Sequence, residues 1–276
     1  MTGLIKEDLL SIVKKKRFLI LTALAYIGLI IFMICEKSEY FNDLTFFFAV
    51  NKYIFYVFDP LIGITLIISV YRKKFTKNSI LQVEAHNAKR AEGVISRIIS
   101  GSVILIACYL IMALLVIILG LILGAHINAG QTGLLMLRLA VDCLAGVAVY
   151  ITALFWLYLF AFPIVPVLVY GIEMLALPAY FLGSDAVLSD IFKYLSWFFV
   201  KLNTDYIYTN LLFSDLHIIA VFIFLLQVVI PLLFTLLVFK LKKIRPDKVK
   251  KKKVKTGEQE TDPSSPDIMA ATSSKI

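Results

Sequence analysis

The sequence contains no Gly-x-x-x-x-Gly-Lys-Ser/Thr loop of the kind that cradles phosphates, so the chain carries no nucleotide-hydrolase signature of its own. Any energy from ATP has to enter through another subunit. His-Glu-x-x-His and Gly-x-Ser-x-Gly motifs are also absent, and with them the usual signatures of zinc-dependent and serine hydrolases. The three histidines, His86, His126 and His217, are far apart in the chain. Cys35, Cys108 and Cys143 show neither metal-ligand spacing nor the paired arrangement of a disulfide framework, and they read as packing residues. No catalytic set, metal site or cofactor of its own is therefore expected, and the chain reads as a non-enzyme. Charge is scarce as well, at 17% Asp, Glu, Lys and Arg.

What fills the sequence instead is apolar: 60% of residues, with a mean hydropathy of +0.88, against roughly 45–50% apolar usage in soluble domains. A bilayer core needs about 20 largely apolar residues per helix. Six such spans are expected, at about 18–35, 52–71, 98–124, 135–160, 164–183 and 216–240. Pro163 and Pro166, each without a backbone donor, mark the break between the fourth and fifth. The first span resembles the apolar part of a signal peptide, but no small-residue cleavage site follows, so it is expected to stay.

The net charge of +9 is concentrated. All but five of the 28 Lys and Arg residues fall in three clusters: Lys6 to Arg17, Arg72 to Arg97, and Lys240 onward. Short loops keep such residues on the cytoplasmic side. An even number of spans with both termini inside follows, in the cytoplasmic membrane. These clusters flank spans and face anionic lipid, which accounts for the charge without invoking nucleic acid.

Residues 1–17 form an amphipathic N-terminal segment in which Ile5, Leu9, Ile12 and Val13 recur at helical spacing, while Lys6, Glu7, Asp8, Lys14 and Lys15 occupy other faces. It is expected to lie along the inner membrane surface or to extend the first span. The connection from Arg72 to Arg97 reads as a helix over about 79–97, either a docking element or an ordinary solvated loop helix. Outside, about 184–213 carries a helical stripe from Val187 to Leu202 together with Tyr194, Trp197, Tyr206 and Tyr208, and is expected to dip into the outer leaflet. Residues 244–276 are a basic and then disordered tail, following the span domain at 18–243.

Ionisable groups at membrane depth are costly and usually face a protein interior or a cavity. Glu173 is nearly central in the fifth span, so it lines a substrate path, bonds across an interface, or is a neutral acid satisfied by a neighbouring helix. Arg138 and Asp142, four residues apart, share a helical face and can neutralise each other. Gln227 points to an interhelical hydrogen bond and Pro231 to a kink.

The wording Leu4-Ile5-Lys6-Glu7-Asp8-Leu9, then Lys14-Lys15-Lys16-Arg17-Phe18, resembles the N-terminal region of the membrane subunits of type-2 ABC exporters. So do Thr76-Lys77-Asn78-Ser79-Ile80-Leu81, Asn87-Ala88-Lys89-Arg90 and Ser96-Arg97-Ile98. The likeness covers roughly residues 1–243. Members of that family often carry an acidic residue before a Gly-Thr pair at the end of the second span. Here Lys73, Lys74 and Phe75 precede Thr76, nearer the divergent peptide-handling permeases.

The resemblance implies an all-α polytopic fold with a cytoplasmic coupling helix. It also implies pairing with a second permease subunit, identical or homologous, and two copies of a separately encoded ABC ATPase that binds the ATP and Mg. Glu84, His86, Lys89, Arg90 and Arg97 would meet that ATPase, and the cargo would be an amphipathic peptide or lipid-like molecule. A secondary transporter and a non-transporting scaffold or immunity protein are the rival readings. The first would need coupling-ion residues and often an internal repeat, and the second would keep its function without any ATPase.

Overall fold

The computed structural model describes residues 1–39, 50, 53–71, 75–124, 129–160, 162, 164–174, 199–200, 203–204, 207 and 218–242. Among them every regular element is helical. In chain order these are α1 (Thr2–Val13), α2 (Lys16–Glu39), a π turn (Ile54–Phe58) running into α3 (Asp59–Val70), α4 (Phe75–Ala85), α5 (Arg90–Ile122), α6 (Ala129–Phe160), α7 (Ile164–Met174) and α8 (Ile218–Leu241). Four of them, α2, α5, α6 and α8, are long and apolar enough to cross a bilayer, which makes this a membrane-embedded protein. The second and fifth expected spans correspond to α3 with its π turn and to α7, whose described part ends at Met174. The expected outer segment lies mostly, and the tail entirely, outside the described residues.

The π turn has a local cause. Pro60 has no N–H to donate and its ring would clash with the carbonyl four residues back, so the preceding turn widens. The N–H of Asp59 accordingly bonds Ile54, five residues back.

α6 is the most enclosed long helix, packed against α3, α5, α7 and α8, whereas α8 presents most of its surface outward. Close approach is achieved by seating tyrosine rings on glycines, the small-residue packing that helices use in lipid. Tyr170 of α7 lies over Gly63 of α3, Tyr150 of α6 over Gly101 of α5, and Tyr53 over Gly28 of α2. A Cβ at position 63 would fall inside the ring of Tyr170, which is itself fully buried. Gly63→Ala is therefore expected to cost about 1–3 kcal/mol by overpacking, read as a lower thermal midpoint. Adding Tyr170→Ala should make the glycine change nearly neutral, because the ring it strikes is gone.

One end of the bundle is defined by three cations, one from each basic cluster. Lys15 Nζ donates to the carbonyls of Ser69 and Tyr71 at the C-terminus of α3. Lys242 Nζ donates to Tyr158 and Leu159 at the C-terminus of α6, at 2.5 and 3.0 Å. Arg90 donates to Lys240 and Lys242 at the C-terminus of α8, at 3.3 and 3.0 Å. Each cation satisfies helix-end carbonyls that lack an intrahelical partner and sits at the negative end of a helix dipole. Burial draws the Lys242 ammonium below the ordinary lysine pKa. The C-termini of α3, α6 and α8 thus meet the N-termini of α2 and α5 at this basic end, where α1 and α4 also lie.

Candidate coupling hairpin and intramembrane polar cluster

The segment expected as a single helix over about 79–97 is two helices joined by a tight turn. α4 stops at Ala85, and Arg90 to Arg97 are the first two turns of α5. The stop is a Schellman arrangement: Ala88 N–H bonds Val83 O, Asn87 N–H bonds Glu84 O, and Asn87 takes the left-handed backbone at φ 50°. Asparagine tolerates that conformation better than most side chains. Gly93 lets α5 pass directly against Val83, closing the hairpin.

This geometry separates the five residues the sequence groups together. Glu84, His86 and Lys89 are exposed along the outer edge of the hairpin, next to Leu81. Arg90 is half-buried and occupied with the end of α8. Arg97 is buried and faces inward, its guanidinium 3.0 Å from Gln82 Oε1 and 3.8 Å from Asp8 Oδ1. Of the five residues expected to meet a partner, Arg97 is therefore turned away from the exposed edge by a buried carboxylate, and Arg90 is partly withdrawn from it by helix-end carbonyls.

Asp8 is the second correction. The sequence places it on a polar face of α1, yet the packed stripe is Leu4, Asp8 and Ile12, and Asp8 is only 6% exposed. It accepts from Ser96 Oγ at 2.8 Å and from Gln82 Nε2 at 3.3 Å, and it pairs with Arg97. A carboxylate with such partners can be buried where a lone one could not. The consequence is that α1 is bolted to the inner side of α4 and α5. Ser100 Oγ adds a bond to Ile5 O at 3.2 Å.

Deeper in the bundle is a second polar cluster. Arg138 Nε lies 3.3 Å from Asp142 Oδ2 within α6, and the carboxylate is 2% exposed. Tyr109 of α5 donates its hydroxyl to Asp59 Oδ1 of α3 at 2.5 Å. The hydroxyl ends of Tyr109 and Tyr170 both come close to Gly146 of α6, so α3, α5, α6 and α7 meet around these groups. The sequence reading passes over Asp59, although it carries the same signal as Glu173: a lone carboxyl inside an apolar run. Glu173 falls within α7, and its side chain lies outside the described residues. Gln227 of α8 is met by buried Asn203, which donates to Gln227 Oε1 at 3.2 Å and to Ala220 O at 3.1 Å.

No group of three or more His, Cys, Asp or Glu residues suited to a metal occurs among the described residues. Comparison of the chain with protein-family models, with curated proteins and with solved structures finds no match.

Proposed function

We propose that this chain is the permease subunit of an ATP-driven exporter of the type-2 ABC class, with six spans and both termini in the cytoplasm. The single observation carrying this reading is the α4–α5 hairpin at the basic end. It stands between two apolar helices, presents Leu81, Glu84 and Lys89 outward, and is tied inward to α1 through Asp8. A small rigid outcrop of this kind suits the transmission of force from a separate ATPase into the spans. α1 and α5 would carry that force onward, α1 through its short link to α2.

In this reading a second permease subunit, identical or homologous, completes the path, and the apolar walls favour an amphipathic peptide or lipid-like cargo entering from the bilayer. Glu84 and Lys89 would meet the ATPase. Arg97 would act from behind, by holding the hairpin against α1.

The test is capture of a partner bearing a nucleotide-binding motif by gently solubilised, full-length protein. The paired charge reversal Glu84→Lys/Lys89→Glu should weaken that capture roughly tenfold while leaving thermal stability unchanged. Failure to retain any ATP-hydrolysing partner across several detergents and lipid mixtures would overturn the proposal.

A further inference from the structure

α1 is packed on one side only. Leu4, Asp8 and Ile12 form its buried stripe, and both acids of the helix are engaged with the hairpin, Asp8 through Ser96 and Gln82 and Glu7 through His86 at 3.4 Å. On the far side Leu10 and Val13 stand 44% and 43% exposed, with exposed Lys6 one turn before Leu10 and exposed Lys14 one turn after it. The apolar stripe read from the sequence is split by this packing: it joins Ile12 to Val13, yet Ile12 is 3% exposed and belongs to the protein. Lys16 and Arg17, which open α2, are exposed as well, while Lys15 is drawn in to the end of α3.

With Glu7 and Asp8 engaged, the charges left to the far side are positive, and they flank two apolar side chains. The depth of this face is fixed by α5. Ser100 Oγ bonds Ile5 O, and Ser100 lies just inside the apolar run of α5, so α1 is level with the edge of the bilayer core. A helix at that depth buries such apolar side chains at the boundary between headgroups and acyl chains, and its long cationic side chains reach the phosphates. A second copy docked through the same face about a two-fold axis would set these cations against one another.

We propose that the far face of α1 is a binding surface for anionic phospholipid, with Leu10 and Val13 entering the acyl boundary and Lys6, Lys14, Lys16 and Arg17 taking the headgroups. The helix is then held from two sides, by lipid on one and by the hairpin through Asp8 on the other. Anionic lipid at this surface fixes α1, and with it the hairpin, against the membrane. The surface stands without the permease reading.

Photo-crosslinking tests it. Full-length protein with p-benzoylphenylalanine in place of Leu10, of Val13 or, for comparison, of the exposed hairpin residue Glu84 is placed in nanodiscs made of equal parts phosphatidylcholine and phosphatidylglycerol, and the adducts are identified by mass spectrometry. Positions 10 and 13 should give lipid adducts and position 84 none. Phosphatidylglycerol should be captured about fivefold more than phosphatidylcholine, the factor that one cation supplies near an anionic surface. Adding Lys14→Gln/Lys16→Gln/Arg17→Gln should keep the adducts and remove the preference, and salt at about 1 M should do the same to the unsubstituted cations. Absence of lipid adducts at 10 and 13, adducts to a second copy of the chain in their place, equal capture of the two lipids, or a preference that survives loss of the three cations would overturn the proposal. If partner capture fails while the lipid adducts form, only the permease reading falls; the reverse result removes only the lipid surface.

Discussion

Asp142→Ala is expected to lower the stability of the detergent-solubilised, full-length protein by about 3 kcal/mol, because removing one member of a buried ion pair leaves the other poorly compensated. Arg138 would keep its guanidinium at a largely buried site without the carboxylate that now faces it at 3.3 Å. At about 2–4 °C per kcal/mol for a chain of this size, the thermal midpoint should fall by about 6–12 °C. The double variant Arg138→Leu/Asp142→Leu should recover most of that loss, since apolar replacement of both partners removes the desolvated charges together. If Asp142→Ala melts with the wild type, the pair has no structural role, and a role in the cargo path becomes the reason to examine it.

Asp8→Ala should cost about 2–3 kcal/mol. The substitution removes the acceptor for Ser96 and Gln82 and the counter-charge of Arg97, leaving buried donors to find other partners. Asp8→Asn separates the two contributions: it keeps an acceptor oxygen but no charge, so it should retain part of the hydrogen-bond stabilisation and lose the ionic part. Hydrogen exchange of α1 should rise in step with the loss of stability, since Asp8 is the centre of the seam between α1 and the hairpin. Unchanged protection of α1 in Asp8→Ala would show that Leu4 and Ile12 alone hold the helix in place.

Both residues also mark how far periodicity reads. The apolar runs locate α2, α8 and the C-terminal ends of α5 and α6 to within four residues, because a helix in lipid must satisfy its own backbone and needs a fixed length of apolar sequence. α5 and α6 begin eight and six residues before the expected spans, where the helix continues through less apolar sequence. The Arg138–Asp142 pair is legible for the same kind of reason, since residues four apart in a helix are neighbours whatever surrounds them. Asp8 is not legible. A carboxylate among lysines on a short amphipathic helix has the pattern of a solvated face, and its true partners, Gln82, Ser96 and Arg97, are more than seventy positions away. Asp59 could have been singled out by its isolation in an apolar run, but its partner Tyr109 could not.

The basic clusters divide in the same way. By itself the sequence determines that this is an apolar helical membrane protein and that its cations gather in three places, because hydropathy and charge are properties of composition and local order. Only the tertiary structure decided what those cations hold. Lys15, Arg90 and Lys242 close the ends of α3, α8 and α6, and Arg97 turns inward to Asp8. The physical reason is that a helix end exposes carbonyls whose nearest cation is set by the packing of other helices, and no sequence-local rule carries that distance.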